Sequence, residues 1–221
     1  MIGVFMLAAS AAAAQTMPQP DVIVMTGEAV VRRPPDVAFV TLAVETRAKS
    51  PRDAQRQNND VMTAVLTRLA DAGIAHDALR TVGVRLDQEF DNANGKRVLR
   101  GFLARNALEV TVSEVAKAGE IADAAVQAGA TSLEGIRFDI KDRSGAEREA
   151  TRQAVADARG RAEAAAAGAG RTLDRILKIE QGGGTGAPPR PMMRMAAEAV
   201  VVVEAGFIEV RADVTLTVSM K

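Results

Sequence analysis

Between residues 146 and 166 an alanine stands at every fourth position: Ala146, Ala150, Ala154, Ala158, Ala162 and Ala166. A spacing of four keeps all of them on one face of a helix, and alanine is the strongest helix former, so the run predicts a helix over about 146–167. A ridge of single methyl groups also lets another backbone approach closely, which longer side chains would prevent. Asp157 with Arg161 and Arg159 with Glu163 add i,i+4 pairs on the outer surface, each worth a few tenths of a kcal/mol. Gly168 and Gly170 end the run.

The segments around this helix alternate between the two periods. Val22–Val31 and Val37–Lys49 are rich in β-branched residues and flank Arg32-Arg33-Pro34-Pro35-Asp36, where the proline pair cannot donate to a ladder and marks a bend. Ser50 then serves as N-cap with Pro51 at the first helical position, and Ala54, Val61, Met62, Val65, Leu66 and Leu69 form an apolar stripe that Gly73 ends. Thr81–Asp91 alternates at period two, with Val82, Val84, Leu86 and Phe90 expected on a packed face and Arg85, Asp87, Glu89 and Asp91 opposite. Asn94-Gly95 is a hairpin signal, and Val98–Val112 returns as the partner strand. A second helix is expected over about Glu114–Gln127 with Val115, Ala118, Ala122, Ala125 and Val126 inward, then a strand over Leu133–Lys141. After the alanine helix come strands over Asp174–Gln181 and Phe207–Met220, separated by a glycine- and proline-rich segment, 182–197, expected to be flexible. Helix, glycine stop and strand thus recur three times, at Gly73, Gly129 and Gly170. The fold class expected is α+β, a largely antiparallel sheet with about three packed helices.

Composition narrows the chemistry. With no cysteine and one histidine, thiol catalysis, cysteine-ligated zinc, iron–sulfur clusters and lipid attachment at a cysteine are excluded, and any histidine chemistry rests on His76. Lys+Arg and Asp+Glu balance at 28 each, which argues against a nucleic-acid partner, because phosphate-driven binding needs a basic surface. The leading 14 residues, MIGVFMLAASAAAA, carry no charged side chain, and Ala12-Ala13-Ala14 before Gln15 fits the small-residue cleavage rule of a secretory signal peptide, with cleavage after Ala14. The stretch is too short to span a bilayer, for which about 20 apolar residues are needed, so no transmembrane helix is expected in the mature chain. The Lys or Arg that usually opens a signal peptide is missing, and a disordered alanine-rich tail is the alternative.

Candidate sites are few. His76-Asp77 has the makings of a base and its orienting carboxylate, but without a second histidine it reads as an exposed loop residue. Asp87, Glu89 and Asp91 share one strand face and could converge on a hard cation; with Arg85 alongside and Lys96 and Arg97 across the hairpin, a solvated charged face is the plainer reading. The glycine run 182–186 precedes proline and not a helix, so it is a linker and not a phosphate cradle. Met192, Met193 and Met195 beside Arg190 and Arg194 fit an adaptable contact surface or a mobile loop equally. No serine stands in a GxSxG or SxxK setting. No catalytic, cofactor-binding or metal-binding residue, and no cofactor, is therefore assigned.

In its order of short motifs the chain resembles the SIMPL-domain family, a domain of unknown function in exported bacterial proteins that include periplasmic or outer-membrane immunogenic proteins. The pieces are Gly27-Glu28-Ala29-Val30 with Pro35-Asp36-Val37-Ala38, Asp77-Ala78-Leu79-Arg80-Thr81, Gly101-Phe102-Leu103-Ala104, Ala128-Gly129-Ala130 with Gly135-Ile136-Arg137-Phe138, and Ala154–Arg159 with Arg161-Ala162-Glu163-Ala164. Phe102 departs from an expected tyrosine, losing a hydroxyl but keeping the ring. The resemblance spans about 22–221 and implies an α+β domain in the bacterial periplasm or envelope, non-enzymatic, homo-oligomeric, and tied in some members to oxidative-stress tolerance. The alternative is a periplasmic ligand- or cation-binding module or weak hydrolase using the 85–91 carboxylate strand.

Overall fold

The computed structural model describes residues 21–93, 96–182 and 205–221. The expected signal peptide, the Asn94-Gly95 turn and the methionine-containing part of the 182–197 segment lie outside them. The chain forms strands β1 (Val22–Arg33) and β2 (Val37–Ala48), helix α1 (Pro51–Asp71), strands β3 (Leu79–Ala93) and β4 (Lys96–Val112), helix α2 (Ala118–Gln127), strand β5 (Ser132–Asp139), helix α3 (Arg143–Gly168), and strands β6 (Leu173–Gln181) and β7 (Ile208–Met220). Two antiparallel sheets result, ordered β1-β7-β6 and β3-β4-β2-β5, so the α+β expectation holds. The described residues fall into two compact units, one within 1–29, 152–183 and 213–221, the other within 30–151 and 184–212.

In the smaller unit Ala154, Ala158, Ala162 and Ala166 are all buried, and so are Val214, Leu216 and Val218 of β7. The close approach that the alanine ridge permits is made by β1: a Cβ on Gly27 would stand 2.2 Å from both the Ala154 carbonyl oxygen and the Ala158 nitrogen. Only a glycine leaves room for that contact. Next to it the Glu28 N–H donates to Asp157 Oδ2 at 3.0 Å, tying β1 to α3. Both outer pairs read from the sequence form, Arg161 with Asp157 and Arg159 with Glu163, each at 2.9 Å.

In the larger unit α1 and α2 cover one face of the β2–β4–β5 sheet. Val40, Leu42 and Val44 of β2 meet Met62, Val65 and Leu69 of α1, Leu108 and Val110 of β4, and Ile121 of α2. The Ser50 hydroxyl accepts from the Asp53 N–H at 3.1 Å, completing the cap expected there. At the other end the Gly73 N–H bonds Ala70 and the Ile74 N–H bonds Leu69, a left-handed stop with Gly73 at φ 85°. The same pair of bonds closes α2 at Gly129 and α3 at Gly170, so the threefold echo in the sequence is shared helix-stop chemistry.

Three features differ from the sequence reading. α3 begins at Arg143, three residues early, because the Asp142 carboxylate accepts from the Gly145 N–H at 2.8 Å and caps the first turn. Asn58, inside the α1 stripe, is buried, and its amide donates to the Val44 and Ala104 carbonyls at 2.8 and 3.1 Å. Val126, expected inward, is exposed; Ile121 and Ala124 take the inner face of α2, whose regular turns start only at Ala118 after a 3₁₀ turn over Val115–Lys117.

Candidate functional site

Strand β3 carries the carboxylates singled out by the sequence, and it is the edge of its sheet, paired to β4. Its register places Val84 opposite Asn106 and Leu86 opposite Ala104, on the face that α1 and α2 cover farther along β4 and β2. The helices stop short of the hairpin. Val82, Val84, Leu86 and Phe90, expected on a packed face, are exposed, Val84 by 63% and Leu86 by 44%. Val98 and Leu99 of β4 are exposed beside them. Arg97 stacks its guanidinium over the Phe90 ring at 3.9 Å and does not serve the carboxylates. Two bulges, between Thr81 and Gly83 and between Glu89 and Phe90, interrupt the ladder at either end of the apolar stripe.

On the other face of the sheet the charges are matched across strands. Arg47 of β2, which stands opposite Leu103 of β4, reaches diagonally across that strand to Glu89 at 3.0 Å. Arg105 bonds Glu45 at 2.6 Å and also engages Glu134. Arg80 pairs with Glu109 at 2.7 Å, and Arg100 lies 3.7 Å from Asp91. Glu89 and Asp91 are therefore held by separate arginines and do not converge with Asp87. Among the described residues no three histidine or carboxylate groups are placed to share a metal ion. On β3, Arg85 and Asp87 have no ion-pair partner among the described residues. Sequence reasoning put Lys96 and Arg97 opposite the carboxylates; it missed Arg47 because that residue lies two strands away.

His76 occupies an exposed 3₁₀ turn, His76–Ala78, that leads directly into β3, eleven residues ahead of Asp87. Two open clefts lie elsewhere. One of about 640 Å³ is lined by Arg68, Asp71, Glu120 and Asp123 between α1 and α2. The other, of about 550 Å³, includes Asp77, Glu114 and Lys117. There the Lys117 ammonium is held above its ordinary value, chiefly by its hydrogen bond to Glu114. Among the described residues no helix is long and apolar enough to cross a membrane.

A family model described as SIMPL, protein of unknown function (DUF541), matches residues 23–218. The chain is 32% identical over 197 residues to the 26 kDa periplasmic immunogenic protein of Brucella melitensis, covering 87% of this chain and 78% of that protein. It is 26% identical over 185 residues to the uncharacterized protein YggE of Escherichia coli, covering 84% and 75% respectively. The YggE protein of Edwardsiella ictaluri is 26% identical over 200 residues, 90% of this chain and 83% of that protein.

Proposed function

The chain belongs to the SIMPL family of proteins of unknown function, and we propose that it acts there as a non-enzymatic, self-associating protein of the bacterial periplasm or cell envelope. The observation that carries this reading is the β3–β4 hairpin, an edge strand with an uncovered apolar stripe, on which Glu89 and Asp91 are already paired with arginines. Exposed edges and apolar stripes are what a neighbouring chain covers, and they offer a small substrate no enclosed pocket. The periplasmic setting is supported by the Brucella relative, a periplasmic immunogenic protein, and by the uncharged leading 14 residues. N-terminal sequencing of the exported protein should find Gln15 first; a chain that still starts at Met1 overturns export by cleavage. Size-exclusion chromatography with light scattering should give a mass above one chain, and a monomer at high concentration overturns self-association.

The competing reading, a ligand- or cation-binding module or weak hydrolase on the 85–91 strand, makes a different demand. It requires a ligand that raises the melting temperature and loses that effect in Asp87→Asn. Millimolar calcium leaving the melting temperature unchanged disposes of its cation form. Involvement in oxidative-stress tolerance, the remaining part of the proposal, rests on the family resemblance. In a chain without cysteine its oxidisable sulfur would be the methionines, seven of the nine remaining once cleavage after Ala14 removes Met1 and Met6. Unchanged peroxide survival of a deletion strain would remove it.

A further inference from the structure

Resting on the self-associating reading, we infer that β3 is a self-complementary edge: it pairs antiparallel with β3 of a second copy about a two-fold axis at Leu86, setting Arg85 of each chain opposite Asp87 of the other. Three observations lead there. β3 ends its sheet, so the outer side of its backbone presents a ladder's unpaired donors and acceptors. The two charged side chains of β3 without an ion-pair partner among the described residues are one cation and one anion, and they flank a single residue. Glu89, Asp91 and Arg80 are already engaged by Arg47, Arg100 and Glu109. Finally, the bulges at Val82 and beyond Glu89 bound a regular stretch, Gly83–Glu89, whose midpoint is Leu86.

In an antiparallel pair about Leu86, Val84 faces Gln88 of the partner chain and Arg85 faces Asp87 twice. Registers centred one residue to the C-terminal side set Asp87 against Asp87, and like charges directly opposite each other disfavour pairing. The two-fold keeps faces matched, so Val84 and Leu86 of both copies line one surface. The sheet becomes eight-stranded, β5-β2-β4-β3 continued by its mirror order, within the range open sheets reach.

The absence of native cysteine makes the register directly readable. Leu86→Cys should give a disulfide dimer under mild oxidation, because directly opposed residues lie within disulfide reach. Val84→Cys alone should not, since its two copies stand four residues apart, about 13 Å. A mixture of Val84→Cys and Gln88→Cys chains should cross-link. Asp87→Arg should weaken association at least about tenfold, and Arg85→Asp with Asp87→Arg should regain most of it, which separates charge matching from misfolding. Association without the Leu86 cross-link and without rescue by the double swap overturns this interface while self-association stands. Cross-linking of Leu86→Cys to Ile179→Cys, on the exposed edge strand β6, would make the contact head-to-tail and overturn it as well. A monomeric native chain overturns both readings.

Discussion

β7 and β3 have the same alternation written into them and end in opposite environments. In β7, Val214, Leu216 and Val218 are buried, Leu216 completely. In β3, Val84, Leu86 and Phe90 follow the same period and remain exposed. Period two says that a strand has two unlike faces; what lies over the apolar one is decided by neighbours. β7 is the central strand of its sheet, while β3 is an edge whose main packing partner is β4. The lesson is that an alternating strand left uncovered marks either a fold that is incomplete alone or a surface meant for company.

Four substitutions sharpen that contrast. Gly27→Ala should be the costliest, by about 3 kcal/mol, because its methyl group would meet backbone atoms of α3 at 2.2 Å and backbone cannot rotate away. Urea unfolding would measure it, and an unchanged midpoint would refute the tight strand–helix contact. Asn58→Ala should cost about 2 kcal/mol in the same assay by removing two buried hydrogen bonds and leaving a cavity where the amide packs against β2 and β4. Leu86→Ser should change the stability of the dilute chain by no more than about 1 kcal/mol, since nearly half of the residue is already in water, yet should reduce association. A large loss of stability would mean that the hairpin face is core after all.

The smallest effect concerns Glu209. Its hydrogen bond from Arg211, and then that from Arg32, hold its carboxyl below the ordinary 4.5. The stabilisation is present at neutral pH, fades as pH falls below 4.5, and is gone once pH has passed the lowered value. Glu209→Gln should slightly flatten the acid limb of a stability–pH curve; an identical limb would show the pairing to be silent.

Much of the fold was legible. The alanine period, the Ser50 cap, the three glycine stops and the proline bend are local signals, and each lies where its own side chain or backbone dictates. What escaped was non-local. Asn58 reads as a polar break in a helical stripe until β2 and β4 bring two carbonyls to it. Arg47 and Glu89 are 42 residues apart, and only the register of three strands joins them. The candidate site was legible as a charged strand. Its exposed reverse face was not, because period two cannot tell a covered edge from a bare one.

Gly27 also has a consequence for how the chain finds its alignment. A strand may slip by two residues and still present the same face to its helix, so side-chain pattern alone leaves β1 free to settle in more than one register. A two-residue slip here would carry Met25 or Ala29 to the point where β1 meets the Ala154 carbonyl, and neither fits a gap that excludes a methyl group. The missing side chain thus works as an alignment mark: one position along the strand admits the helix, and its neighbours on the same face refuse it.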